Sequence, residues 1–271
     1  MFRILDTYTL GPKMHYMLME APLIARKARA GQFVIVRVRE QGERIPLTIA
    51  DYDRQQGTVT LVFQEVGKTT CMLGAMKKGD VLLDLLGPQG NPTEIEKFGH
   101  VAVVGGGIGV APVYPLARAL KEAGNKVTAI IGYRSKEHVF WEDKMKAASD
   151  NLIIATNDGS YGRKGFVTDM LKELMAGAEA INVVFAIGPA VMMKAVCDMT
   201  RQANLKTIVS LNSLMVCGMG MCGACRVTVA GKTKFTCMDG PDFDGHQVDF
   251  PELMKRLESY KCEECACQSA G

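Results

Sequence analysis

The stretch Val101-Ala102-Val103-Val104-Gly105-Gly106-Gly107-Ile108-Gly109-Val110-Ala111-Pro112 sets the architecture of this chain. Four small or β-branched apolar residues read as a buried strand, the glycines permit a tight turn, and Val113 to Ala123 reads as the helix that follows. A strand that ends in glycines and opens a helix directs free backbone N–H groups and the positive helix end at one point, where a pyrophosphate can rest. Alone such a loop does not decide the matter, because glycines also serve close helix-to-strand packing. The uncharged run from Val101 to Ala117 approaches membrane-spanning length, but Gly105, Gly106, Gly107, Gly109, Pro112 and Pro115 interrupt it, and strand, turn and helix start explain it better.

Downstream the same rhythm repeats. Val127 to Tyr133, Asn151 to Thr156, Asn182 to Ile187 and Thr207 to Leu211 read as strands, alternating with helices predicted over His138 to Ala148, Phe166 to Met175 and Ala190 to Ala203. This alternation predicts a parallel sheet covered on both faces, with ligands at the carboxyl ends of its strands. Polar groups stand at those ends: Tyr133-Arg134-Ser135, Asn157-Asp158-Gly159 and Gly188-Pro189. Gly106, Gly107, Ile108, Gly109, Tyr133, Arg134, Asn157, Asp158, Gly188 and Pro189 are therefore the candidate nucleotide contacts. Arg134 could stack on adenine or meet a 2′-phosphate, which leaves NAD and NADP both open.

Upstream, short alternating or β-branched runs at Gln32 to Val38, Arg44 to Ala50, Thr58 to Glu65 and Val81 to Leu86 are separated by Gly-rich turns, the pattern of a small antiparallel barrel or sandwich. One helix starts after Gly67. The expected architecture is multi-domain: an antiparallel β-barrel over residues 1–98, an α/β parallel-sheet nucleotide domain over 99–211, and a small C-terminal cluster-binding segment with a helix and tail over 212–271.

That last segment holds Cys217, Cys222, Cys225 and Cys237, spaced C-x4-C-x2-C-x11-C. The first three follow the plant-type 2Fe-2S ligand pattern, in which four thiolates hold two irons. A short loop presents three thiolates to one cluster only if it turns tightly, and Gly218, Gly220 and Gly223 lie between the ligands. Structural zinc also takes four cysteines, but usually through two C-x2-C knuckles. Cys71 and Cys197 read as buried core thiols. Cys262, Cys265 and Cys267 form an incomplete terminal set, read as a tail, with a metal site completed by another chain as the sharper alternative.

Composition narrows the class. The 271 residues are 48% apolar and 23% charged with a net charge of +3, which sets disorder aside, and the absence of a Lys/Arg run argues against nucleic-acid or anionic-membrane partners. The N-terminus lacks a signal-peptide pattern, and nine cysteines without one point to metal or redox chemistry in a reducing cytoplasm.

Two further motifs, Arg44-Ile45-Pro46-Leu47-Thr48 on a strand and Gly67-Lys68-Thr69-Thr70 opening a helix, make the chain resemble the ferredoxin-reductase superfamily. That resemblance implies FAD, with Arg44 as a phosphate clamp, Pro46, Leu47 and Thr48 on the ring-facing strand with Leu47 and Thr48 against the isoalloxazine, and Gly67, Lys68, Thr69 and Thr70 beneath the pyrophosphate. The order RIPLT, GKTT, GPQGNP, GGGIGVAP, GYRS, NDGSYG, AIGP and CGMGMCGACRV is similar to that of class B dihydroorotate dehydrogenase electron-transfer subunits. It is still more similar to the small subunit of the electron-bifurcating NADH-dependent ferredoxin:NADP oxidoreductase. Two departures stand out: Ile187 where many members carry cysteine, and Cys217 where some bifurcating subunits carry aspartate. The resemblance implies an NAD(P)H-dependent oxidoreductase subunit with FAD, a 2Fe-2S cluster and NAD(H) or NADP(H). It also implies a larger flavoprotein/iron-sulfur partner, with ferredoxin reached indirectly. Hydride transfer needs no side-chain acid or base. A stand-alone NAD(P)H reductase and a colourless zinc-stabilised nucleotide-binding module remain alternatives.

Overall fold

The computed structural model describes residues 2–259, so Cys262, Cys265 and Cys267 lie outside the described residues. The first unit runs β1 Phe2–Gly11, β2 Met14–Glu20, α1 Pro22–Lys27, β3 Phe33–Arg37, β4 Arg44–Asp53, β5 Thr58–Gln64, α2 Lys68–Gly74, β6 Val81–Leu82 and β7 Asp84–Gln89. Its strands form one antiparallel sheet in the order β6-β1-β2-β5-β4-β3-β7. The two edge strands follow each other in the chain, with Leu83 between them, so the sheet nearly closes into a barrel and leaves little exposed edge. Ile4, Met17, Val34, Ile49, Leu61 and Phe63 fill the interior. The β1–β2 hairpin was not among the expected strands. Only Ile4 of β1 is fully withdrawn from water, and bulges at Ile4/Asp6 and Thr9/Gly11 break the period-2 signal that would reveal it.

The second unit runs β8 His100–Gly106, a 3-10 turn Gly107–Gly109, α3 Val110–Glu122, β9 Lys126–Tyr133, α4 Glu142–Ala148, β10 Asn151–Thr156 and β11 Arg163–Lys164. It continues through α5 Val167–Met175, β12 Val183–Ile187, α6 Ala190–Gln202 and β13 Thr207–Ser210. The sheet order is β11-β10-β9-β8-β12-β13, all parallel. Every residue of β8 and β12 is buried, as parallel strands sandwiched between helices must be. The helix predicted from His138 begins only at Glu142, because Trp141 adopts a left-handed φ of 56° that stops it from extending toward the N-terminus.

The third unit is the hairpin β14 Arg226–Val229 and β15 Lys232–Phe235, then α7 Thr236–Asp239, β16 Asp242–Asp244 and α8 Phe250–Leu257. Strand β16 pairs antiparallel with β13, through Ser210 with Asp242 and Ile208 with Asp244, and so completes the edge of the second sheet. At the other end the unit leans on the barrel: the Thr93 hydroxyl donates to Asp242 Oδ2 at 2.5 Å and the Asn91 amide donates to the Met238 carbonyl at 2.9 Å. Barrel residues Met14, Ala30, Ala50 and Val62 share one apolar core with the α3 side of the second sheet. No helix among the described residues is long and apolar enough to cross a membrane.

Candidate functional site

The cysteine loop follows β13. Gly218, Gly220 and Gly223 hold φ of +70°, +81° and +68°, the left-handed turns that let the loop fold back on itself. A Cβ on Gly218 would lie 2.5 Å from Ile35 Cγ1, so glycine also permits the loop to press onto β3. The thiols stand as two pairs. Cys225 Sγ lies 3.2 Å from Cys237 Sγ, both buried, while the half-buried Cys217 and the exposed Cys222 face each other across the loop. Backbone N–H groups point at the sulfurs: Gly220 at Cys237 (3.1 Å), Met219 and Cys222 at Cys217 (3.5 Å each), and Ala224 at Cys222 (3.5 Å). Such donors favour thiolate over thiol. Among the described residues no three His, Cys, Asp or Glu side chains converge on one ion position. Two thiol pairs, each served by N–H donors, suit a sulfide-bridged pair of irons with two terminal thiolates apiece.

Burial pushes the Cys217 thiol up, but the Met219, Cys222 and Met221 N–H groups and the Cys222 side chain outweigh it and hold the group at about 7. Cys237 is pushed up to about 12, first by burial and then by the adjoining Cys225 thiol. In the metal-free chain Cys217 is therefore expected to be alkylated half-maximally near pH 7, as its thiolate forms, while Cys237 stays protonated and inert across the same range. Iodoacetamide labelling with peptide mass mapping from about pH 6 to about pH 9 checks this order. Equal labelling of the two at neutral pH would contradict it.

The nucleotide edge is built at the place where the strand order reverses. From β8 the sheet grows one way through β9 and the other way through β12, which makes the crevice between the β8 and β12 ends the topological switch point. Gly105 to Gly109 closes β8, and Gly188-Pro189 closes β12. The glycines divide the work. A Cβ on Gly109 would sit 2.3 Å from the Ile187 carbonyl oxygen, and one on Gly106 would meet Met192 Sδ at 2.4 Å, so these two serve close packing. Gly107 has φ +56° and nothing within 4 Å of where a Cβ would point. It is the position at which a ligand can approach bare backbone. Arg134, Asn157 and Asp158 lie exposed along the same edge. Asp158 is held below the usual carboxylate range by hydrogen bonds from the Ser160 hydroxyl and N–H.

On the barrel, β3 and β4 pair Phe33 with Thr48, Val34 with Leu47, Ile35 with Pro46 and Arg37 with Arg44. Val34 and Leu47 point inward. Phe33 and Ile35 point outward and pack on Met215, Cys225 and Cys237. Pro46 and Thr48 stand opposite those two residues on the same outer face, so they neighbour the strand, β3, that touches the cysteine loop. Around the corner, a cavity of about 140 Å³ lined by Arg39, Gln41, Gly42, Glu43, Lys68, Thr69 and Met72 opens at the start of α2. A larger cavity of about 300 Å³, bounded by Glu142, Leu152 to Ile154 and Tyr161 to Arg163, shares no residue with these features.

Residues 212–249 match the family model described as the iron-sulfur cluster binding domain of dihydroorotate dehydrogenase B, and residues 103–198 match the oxidoreductase NAD-binding domain. The chain is 49% identical over 244 residues to a dihydroorotate dehydrogenase B (NAD(+)) electron transfer subunit homolog of Thermotoga maritima, covering 90% of this chain and 86% of that one. The chain belongs to the family of dihydroorotate dehydrogenase B electron transfer subunits and their homologues. This electron transfer subunit is also 36% identical to the Bacillus caldolyticus member, over 88% of its own length and 94% of the relative's. A chain in the structure of an NADH-dependent reduced ferredoxin-NADP oxidoreductase, solved in a study of flavin-based electron bifurcation, superposes with a TM-score of 0.94 at 42% identity, covering 99% and 96% of the two chains. An iron-sulfur segment and an oxidoreductase nucleotide domain on a ferredoxin-reductase-like barrel are thus the parts of this subunit.

Three expectations about its side chains need correcting. Leu47 does not face outward with Thr48; strand alternation turns it into the barrel, where it packs against the interior. Tyr133 is 3% exposed and its hydroxyl donates to the Phe140 carbonyl at 2.8 Å, which places it in the core beneath the strand end and pushes its ionisation far up through burial. Thr70 is spent on its own helix: its oxygen accepts from Gly67 N (3.0 Å) and Val66 N (2.9 Å) while its hydroxyl donates to the Gly67 carbonyl (2.9 Å). Thr69 donates to Glu43 at 2.6 Å, and Arg44 leans on Asp84 at 3.4 Å in a half-exposed pair. Gly67 caps the helix as expected, with Lys68 exposed beside it. Arg39 and the outward pair Phe33 and Ile35 carry no motif that singles them out in the sequence. The β-branched run at 33–37 hides an outward apolar row, because every residue of it but Arg37 is buried, and a two-faced strand shows no alternation.

Proposed function

We propose that this subunit holds FAD on the outer face of β4, a 2Fe-2S cluster on Cys217, Cys222, Cys225 and Cys237, and NAD(H) across the Gly106–Gly109 turn. It exchanges electrons between the nucleotide and a larger flavoprotein/iron-sulfur subunit of an NADH/ferredoxin/NADP assembly. The observation that carries this reading is the shared strand face: Pro46 and Thr48 stand beside Phe33 and Ile35, which touch Cys225 and Cys237. When bound, the flavin supplies the exchange between a two-electron hydride carrier and one-electron carriers, and the cluster supplies single-electron relay.

The chain's own residues do the rest. Arg39 and Lys68 bring cations to the α2 cavity, where phosphate groups would lie, and Arg44 can swing to join them because its surface pair with Asp84 is weak. Phe33 and Ile35 keep water out between the two cofactor positions. Gly107 gives the pyrophosphate bare backbone, and Arg134, Asn157 and Asp158 line the adenosine end. Val216, Met219, Met221 and Met238 are exposed around the cysteine loop, Met221 to 81%. Apolar side chains at that density on a surface support docking of the partner subunit over the cluster.

A dihydroorotate dehydrogenase assembly is the second reading, favoured by the identity to the Bacillus caldolyticus subunit. Anaerobic purification from the native cells, with counting of flavin, iron and sulfide and identification of whatever chain accompanies the subunit, tests both. About one flavin and about two irons per chain are expected. A colourless chain, or one holding zinc, would overturn the proposal, and an orotate-forming partner would select the second reading.

A further inference from the structure

Strand β4 carries the candidate flavin residues at one end and meets helix α3 at the other. A bulge between Ile49 and Asp51 shifts its register against β5, so Ala50 enters the core shared with the nucleotide unit and Asp51 lies against α3. Asp51 Oδ1 accepts from Arg118 Nη1 at 2.9 Å, and its Oδ2 accepts from Lys144 Nζ at 3.3 Å. The Arg118 guanidinium lies between the rings of Tyr52 and Tyr114, 5.5 Å and 5.2 Å from their centroids. Lys144 sits over Trp141 at 4.4 Å and Tyr114 at 5.0 Å, and Trp141 is the residue held in left-handed backbone. Helices α3 and α4 thus close on one β4 carboxylate that is 18% exposed.

The placement of this knot matters more than its strength. Asp51 is on the strand that bears Pro46 and Thr48, and Arg118 is on the helix that the Gly-rich turn opens, so the knot ties the flavin strand to the nucleotide turn through two rigid elements. We infer that Asp51 and Arg118 are positioning residues that set the approach of the nicotinamide to the flavin without touching either. The inference rests on the reading that both cofactors bind where proposed. Its consequence is that loss of the knot loosens the alignment while leaving each binding site intact, and hydride transfer is steep in alignment.

The test uses the cofactor-loaded protein and compares Asp51→Asn with wild type in three measurements. These are the dissociation constant for NADH, the long-wavelength charge-transfer absorption on mixing with NADH, and the single-turnover rate at which NADH gives its hydride to the flavin while solvent supplies the balancing proton. The expected result is a rate lower by about tenfold and a weakened charge-transfer band, with NADH affinity and flavin content within about twofold of wild type. Hydrogen exchange should quicken in residues 44–53 and 110–122. Should D51N fail to fold, Arg118→Lys carries the test; it keeps the charge but not the planar group between two rings, and about threefold slower transfer is expected. Wild-type rate and band in the variant that folds overturn the inference, as does a parallel loss of rate, affinity and flavin, which would mark a merely structural contact. If wild-type protein itself shows no flavin reduction by NADH, the functional reading fails instead, and the two failures are told apart.

Discussion

Gly109→Ala is expected to lower NADH affinity by about tenfold or more and to destabilise the fold by about 1–3 kcal/mol, more than its single methyl group suggests. The added Cβ would lie 2.3 Å from Ile187 O, 2.8 Å from Ile187 C and 2.9 Å from Gly188 Cα. All three are backbone atoms, so no side chain can rotate away, and the β12 end must move off the turn. Gly107→Ala is the matched comparison. Its Cβ meets nothing within 4 Å, and only the left-handed φ of +56° is penalised, at about 1 kcal/mol. It should melt close to wild type yet bind NADH poorly, because the methyl group occupies the approach to the turn. Titration calorimetry beside thermal melts separates the two variants. If both bind NADH as wild type does, the nucleotide does not lie over this turn.

Cys225→Ser is expected to remove the visible iron-sulfur absorption and to cut electron delivery to a one-electron acceptor such as cytochrome c by about a hundredfold. Flavin reduction by NADH should persist, since the barrel and the Gly-rich turn are untouched. Cys225 is the more demanding position of the loop because it is buried against Phe33, Ile35 and Cys237, whereas Cys222 is exposed and a hydroxyl there can be solvated. Cys222→Ser should therefore keep part of the cluster. The check is iron and sulfide content beside cytochrome c reduction, and a C225S protein with unaltered iron would remove Cys225 from the ligand set.

Strand and helix order in the second unit was legible because β-branched runs ending in glycine have few alternative folds, and the turn at 105–109 could be read directly. What residue type does not reveal is the face a side chain takes. Leu47 lies between the half-buried Pro46 and Thr48, and Tyr133 beside the exposed Arg134, yet strand alternation sends one into the barrel and the other into the sheet core. Thr70 is a good donor in any list, but a helix start needs its own N–H groups satisfied first. Strand β16 has no mark in the sequence, because three residues at an edge, two of them aspartate, carry no periodic signal. Asp51 and Arg118 are 67 residues apart, and nothing short of the folded chain brings them together. The cysteine spacing marked the iron-sulfur segment, because Cys217, Cys222, Cys225 and Cys237 all fall inside the matched residues 212–249.

Anaerobic titration of the purified subunit with NADH, followed by low-temperature electron paramagnetic resonance, addresses the path from nucleotide to cluster in one step. Growth of the half-integer-spin signal of a reduced 2Fe-2S centre, integrating to about one spin per chain after flavin bleaching, is the predicted result. Bleaching of the flavin with no such signal at any NADH concentration or partner occupancy would mean that the cysteine loop does not receive those electrons.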